Sequence, residues 1–231
     1  MKGWQKTSFI DVEGKIASVF FYGGCNFRCS YCHNPDLVIN AAKLPEISEE
    51  EVLDYIKKKI NIYEAVCISG GEPTLNPNLT EIIKKIRTLN LAVKIDSNGT
   101  NLSVIKELID QDLIQYVALD IKTSYKKYNQ VFIQGKEDPK LLEQVKKTIE
   151  FLKKQDKIDY EFRSTLYPPF FTEDDLKEIA NMVKGAKKYF LQQFNPKNTL
   201  TNLNGERPFT MERAKQICQF FKPFVERCEI R

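Results

Sequence analysis

Cys25, Cys29 and Cys32 lie within eight residues, in the string Cys25-Asn-Phe-Arg-Cys29-Ser-Tyr-Cys32-His33 that follows the apolar run Ile16 to Tyr22. Three thiolates on one short loop can hold iron, and they leave one corner of a four-iron cluster without a protein ligand. That corner is where chemistry could happen. Zinc could instead take the three cysteines and His33, although structural zinc usually draws ligand pairs from two separated segments, and His33 abuts Cys32. Zinc therefore ranks second. The string Cys29-Ser-Tyr-Cys32-His33 also has the spacing of c-type haem attachment, but nothing in the chain resembles a signal peptide and His33 is the only histidine. Six cysteines without an export signal point to a reducing cytoplasm, where thiols stay free for metal rather than pairing in disulfides.

The pattern C-x3-C-x2-C, with Tyr31 just before its last cysteine, resembles the radical S-adenosylmethionine (SAM) superfamily. That resemblance implies one 4Fe-4S cluster held by Cys25, Cys29 and Cys32, with SAM on the open iron. It also implies reductive cleavage of SAM to methionine and a 5′-deoxyadenosyl radical that abstracts hydrogen from a substrate. The cofactors supply this chemistry, and the protein positions them and excludes quenchers.

Three later segments carry polar residues at the ends of apolar runs. Ala65 to Ile68 runs into Ser69-Gly70-Gly71-Glu72-Pro73, which resembles the family's Gly-Gly-Glu segment. Two glycines let backbone groups approach a ligand closely. Leu91 to Ile95 ends in Asp96-Ser97-Asn98-Gly99, similar to the Asp-Thr-Asn-Gly segment of glycyl-radical-enzyme activases, with serine in place of threonine. Tyr116 to Ile121 closes in Asp120-Ile121-Lys122, similar to the activases' Asp-x-Lys element. A carboxylate and an ammonium two residues apart on a strand share a face, so they can pair with each other or hold ribose hydroxyls. Arg163, within Asp159 to Leu166, and Gln192, within Lys188 to Phe194, resemble inward polar residues of the activases' late strands. The resemblance thus makes Tyr31, Cys32, His33, Asn34, Gly70, Gly71, Glu72, Asp96, Ser97, Asn98, Asp120, Lys122, Arg163 and Gln192 the residues expected around SAM. Read alone, each segment is an ordinary turn or surface pair.

Between these strands the apolar spacing predicts helices. Ser48 and Glu51 have capping-box spacing ahead of Val52, Tyr55, Ile56 and Ile60. Asn76-Pro77 is expected to open a second helix, because proline suits the first helical position. Leu102 to Ile109 gives a third, Asp138-Pro139 opens a fourth, and Thr172 with Asp175 starts a fifth. Strands alternating with helices, and strands apolar enough to be buried on both faces, indicate an α/β fold with a parallel sheet. Six such units fit a partial (β/α)6 TIM-like barrel of the radical SAM type, with the polar motifs at the face where βα loops build active sites. A flavodoxin-like open sheet is the alternative, and it leaves the cysteine triplet unexplained.

At 231 residues the chain is expected to be one barrel domain over residues 1–196, with 197–231 as a tail and helix packing on it. The formal charge of +4 spreads along helix exteriors, without the dense basic stretch that nucleic acid would call for. No apolar run is long enough to cross a membrane. Cys67 reads as a small core residue; Cys218 and Cys228 flank a helix end and read as inert, with a redox or surface role as the alternative.

The segments Gly3 to Asp11, Glu13 to Lys15 and Phe20 to Pro35 resemble the short activating proteins of anaerobic ribonucleotide reductase. Cys32-His33-Asn34-Pro35-Asp36 is similar to the pyruvate formate-lyase activating enzyme as well. Val12-Glu13 departs from relatives that carry an aromatic and a proline there. The implied function is installation of a glycyl radical on a partner enzyme, anaerobic ribonucleoside-triphosphate reductase first, with flavodoxin or ferredoxin as electron donor. The stretches 124–136 and 195–207 are expected to dock the partner's loop. The alternatives are a small-molecule radical SAM enzyme, such as a 7-carboxy-7-deazaguanine synthase-like protein, and a zinc-binding interaction protein.

Overall fold

The computed structural model describes residues 1–135 and 138–231. Eight strands form a single sheet in chain order: β1 (Gly3–Ser8), β2 (Ala17–Tyr22), β3 (Ala65–Gly70), β4 (Ala92–Ser97), β5 (Tyr116–Asp120), β6 (Asp159–Thr165), β7 (Lys188–Gln192) and β8 (Arg227–Ile230). Strands β2 to β8 run parallel, and β1 turns back antiparallel on β2. Helices α1 (Pro35–Ile39), α2 (Glu49–Lys58), α3 (Leu79–Arg87), α4 (Leu102–Asp110), α5 (Pro139–Lys154), α6 (Glu173–Val183) and α7 (Met211–Phe221) join them. The result is a partial TIM-like barrel, and the six strands expected from sequence are β2 to β7.

The two faces of the strands bury different chemistry. Val66, Ile68, Val93, Ile95, Val117 and Leu119 share one large apolar cluster with Val52, Ile56, Ile82 and Ile83 of α2 and α3. Alternate residues Ala17, Val19, Ala65 and Cys67 form a separate small cluster. Further round the sheet the same inner face carries Lys94, Asp96 and Glu161, each at most 8% exposed, and the half-buried Arg163. The expectation of strands apolar on both faces is thereby corrected. Buried charges are stable only when paired, and Lys94 lies 3.4 Å from Asp96 and 3.7 Å from Glu161.

Local signals place most helix starts. Ser48 accepts the Glu51 N–H, Asp138 accepts the Leu141 N–H with Pro139 in the first turn, and Thr172 and Asp175 form a reciprocal capping box. Pro77 does not open α3. The Asn76 side chain accepts the Asn78 N–H at 3.0 Å, closing a turn that delays the helix to Leu79.

The C-terminal stretch does more than cover the barrel, because β8 extends the sheet beyond β7. Its preceding polar loop lies on the cysteine loop, with Leu200 and Thr201 donating N–H groups to the carbonyls of Cys32 and Ser30. In the other stretch expected to meet a partner, Tyr128 and Phe132 are buried and Tyr125 is half-buried. Phe132 bridges to Phe27, so these aromatics brace the cysteine loop from below. Lys136, at the end of that stretch, lies outside the described residues. Among the described residues no helix is long and apolar enough to cross a membrane.

Candidate active site

All three cysteines of the triplet line one open cleft at the C-terminal ends of the strands. Their loop follows β2 and is fastened along its length. The Gly24 N–H donates to Leu37, the Arg28 N–H to Val131, and the Arg28 guanidinium to the carbonyls of Cys25 and Phe27 at 2.7 Å. Cys29 is buried, while Cys25 and Cys32 are half-buried. Burial pushes the Cys25 thiol up to about 11 and the Cys29 thiol up to about 12. Such thiols keep their protons unless a strong local positive charge compensates, which bound iron provides. The Phe27 N–H points at the Cys25 sulfur at 3.4 Å, a hydrogen bond suited to a thiolate ligand.

The Gly-Gly-Glu segment leaves β3 and runs against the start of that loop. Gly71 and Glu72 donate their N–H groups to the carbonyls of Tyr22 and Gly24 at 2.9 and 2.8 Å. Gly70 has φ of +120°, and a Cβ there would sit 2.3 Å from the Tyr22 carbonyl oxygen. At Gly71 a Cβ would fall 2.0 Å from the Gly24 carbonyl oxygen. Only glycine allows this approach. Asn34 reaches across to the Gly70 carbonyl at 3.4 Å.

Glu72 does not face the cleft. Its buried carboxylate accepts from the Thr74 N–H and hydroxyl, the Ser97 hydroxyl and the Asn98 N–H, so it ties the loop after β3 to the loop after β4. Asn98 is likewise saturated. Its amide oxygen accepts from the Thr100 N–H and hydroxyl, and its NH2 donates to Asn26 at 2.8 Å and toward the Cys25 sulfur at 3.9 Å. Both residues line or support the cleft, yet their polar atoms serve the protein.

Across the cleft runs a charge ladder. Asp96 accepts from Ser69 at 3.0 Å and from Arg163 at 3.2 Å; Asp120 accepts from Arg163 and from Lys122, each at 2.9 Å. Burial works to raise both carboxyls, but Arg163 with Lys94 holds Asp96 below the usual range, and Arg163 with Lys122 lowers Asp120 to about 2. Both aspartates are therefore anionic at neutral pH. The second Asp96 oxygen, Oδ1, has no hydrogen-bond partner despite its burial, with Lys94 3.4 Å away as an ion pair only. The Lys94 ammonium is what balances its charge there.

Other expected residues divide. The Tyr31 ring is buried against Tyr167 and Phe170, and its hydroxyl donates to the Lys122 carbonyl. His33 is exposed at the rim, and Ser97 turns its hydroxyl to Glu72. Gln192 lies in a second cavity lower in the barrel, with Lys94, Arg163, Arg227 and Arg231, and does not line the cleft. Sequence reasoning missed Asn26, Ser69, Thr100 and Thr165. Ser69 and Thr165 line the cleft; Asn26 and Thr100 hold its loops together by a 2.8 Å bond. Asn26 sits between two ligand cysteines and Thr100 directly follows a motif, and that proximity was the only signal available.

The family model of the Radical SAM superfamily matches residues 19–183, from β2 to the end of α6. The chain belongs to the radical SAM superfamily. Its cofactors are accordingly one 4Fe-4S cluster and SAM, and it is an enzyme of that family. Over its whole length the chain is 34% identical to a Methanocaldococcus jannaschii protein described as a glycyl-radical enzyme activating enzyme, covering 95% of that protein. It is 28% identical over 208 residues to the pyruvate formate-lyase-activating enzyme of Clostridium pasteurianum, 85% of this chain and 81% of that one. Among solved structures, SuiB of Streptococcus suis bound to S-adenosylmethionine superposes with a TM-score of 0.69 at 10% identity, over 92% of this chain and 49% of SuiB. The protein anSMEcpe with bound AdoMet gives 0.57 at 22% identity, over 75% of this chain and 50% of its own. The chain thus spans about half the length of these solved proteins, and the likeness to them is one of fold.

The residues fit the family's cofactors. Among the described residues no three His, Cys, Asp or Glu side chains converge on a point that would hold a single ion. Three thiols set around one cleft suit a cluster instead, because each of three irons takes its own thiolate.

Proposed function

We propose that the chain installs a glycyl radical on a partner enzyme, with anaerobic ribonucleoside-triphosphate reductase as that partner. Full-length similarity to an activating protein carries this reading, since it includes the β1–β2 hairpin and the C-terminal unit outside the superfamily core. Cys25, Cys29 and Cys32 would hold the cluster, which with SAM supplies a hydrogen-abstracting radical under reduction. The cleft-lining Asp96 and the backbone at Gly70 and Gly71 would accept from the SAM amino and ribose groups, and the anionic Asp120 would hold Lys122 and Arg163 in place at the same wall. His33, at the rim, would border the adenine.

A cytoplasmic setting with flavodoxin or ferredoxin as electron donor agrees with thiols kept reduced for iron. The test mixes the reduced, iron-loaded protein with SAM and an anaerobic ribonucleotide reductase and looks for a glycyl doublet by electron paramagnetic resonance. Formation of the doublet together with 5′-deoxyadenosine is the expected result. SAM cleavage without a glycyl radical on any glycyl-radical enzyme supplied would transfer the reading to a small-molecule radical SAM enzyme.

A further inference from the structure

Two cysteines outside the triplet meet at the end of the chain. Cys218 lies on the buried face of α7, with Ala214, Ile217 and Phe221, and Cys228 lies on β8. Their sulfurs are 3.3 Å apart, and the residues are 7% and 5% exposed. A disulfide needs about 2.05 Å, so the gap to close is about 1.2 Å, within the reach of small χ1 rotations and strand movement.

We propose that Cys218 and Cys228 form a reversible dithiol/disulfide site that fastens β8 to α7. In the reaction each thiol gives up its proton, one sulfur attacks a low-molecular-weight disulfide such as glutathione disulfide, and the second sulfur displaces the bound glutathione. One protein S–S bond forms, two glutathione thiols leave, and the two electrons pass from the protein cysteines to the oxidant. The proposal concerns a different part of the fold from the radical chemistry and does not depend on the identity of the partner enzyme.

Two features give the site its character. Burial and the neighbouring sulfur hold the Cys228 thiol above its usual range, which makes it slow to react while the strand is closed. Strand β8, however, has four residues and is bonded to a neighbouring strand on one side only, through β7. A short edge strand opens locally at low cost, and that opening exposes the pair.

The position also gives oxidation a consequence. On β8, Arg227 pairs with Glu13 of the loop that crosses beneath the barrel from β1 to β2, at 2.7 Å. Arg231, just beyond it, pairs with the buried Glu161 at 3.2 Å. A covalent link to α7 would hold both arginines against those carboxylates, closing the side of the barrel between its first and last strands.

The test treats the anaerobic, iron-loaded protein with glutathione disulfide, then alkylates free thiols and maps the peptides by mass spectrometry. The expected product is a peptide pair joined through Cys218 and Cys228, two hydrogen atoms lighter than the dithiol and restored by dithiothreitol. Hydrogen exchange of the β8 amides should slow by about tenfold or more on oxidation, the scale on which a short-loop disulfide acts. Cys228→Ala should abolish both effects. Absence of the cross-linked peptide, or exchange in β8 that is equal in the two redox states, would overturn the proposal.

Discussion

The Glu72 carboxylate accepts the backbone N–H of Asn98 at 2.6 Å, joining the loop after β3 to the loop after β4. The carboxylate is 2% exposed, and burial raises its pKa despite four donors. Glu72→Gln keeps the shape but turns an NH2 toward one of those donors. A buried donor left without an acceptor costs about 1 to 3 kcal/mol. The variant should lose about that much stability in denaturant unfolding, with reduced iron retention, because Asn98 in turn supports Cys25.

Asp120 stays anionic through neutral pH. Its carboxyl, ordinarily near 3.8, lies at about 2 in the folded chain, so the stabilisation it gives is complete above about pH 4 and is lost as pH falls through about 2. Titration of Asp120 should therefore contribute no pH dependence to SAM affinity between about pH 5 and 8. Asp120→Asn removes the charge that holds Lys122 and Arg163. Charge-assisted contacts of about 1.5 to 3 kcal/mol predict a fall in SAM affinity of about ten- to a hundredfold, measurable by calorimetry under anaerobic conditions.

Gly71→Ala should prevent the cysteine loop from closing, since its Cβ would overlap the Gly24 carbonyl oxygen. Iron content after reconstitution is the readout, and it should drop sharply. Gly205→Ala is the control: nothing lies within 4 Å of the added Cβ, so stability should change by less than about 0.5 kcal/mol.

Asn98 and Cys25 form a further testable pair. Hydrogen bonds to a cluster thiolate raise its reduction potential. Asn98→Leu removes the amide aimed at the Cys25 sulfur, so the potential should move lower while SAM affinity changes little. Potentiometric titration followed by electron paramagnetic resonance separates this from a direct SAM contact, which would weaken SAM binding instead.

Replacing His33 by Gln should leave the iron content unchanged and weaken SAM binding. Loss of metal on that substitution would place the imidazole among the ligands, as a zinc site requires.

The sequence was informative wherever chemistry depends on neighbours along the chain. The cysteine triplet, the glycine pair and the Asp-x-Lys element each announce themselves within a few residues, and period-2 and period-3.6 apolar spacing places β2 to β7 and the main helices. What tertiary structure decided depends on contacts between segments far apart in sequence. Glu72 and Asn98 lie among the expected SAM residues, yet their polar atoms are consumed by Thr74, Ser97, Asn26 and Thr100, partners that exist only once four loops meet. Gln192 pairs across β6 and β7 with the cleft-lining Thr165, yet it lines a separate cavity with Lys94, Arg163, Arg227 and Arg231 rather than the cleft. Strand β8 and the contact between Cys218 and Cys228 were illegible for the same reason. A four-residue edge strand has little pattern of its own, and only its pairing with β7 brings the two sulfurs together.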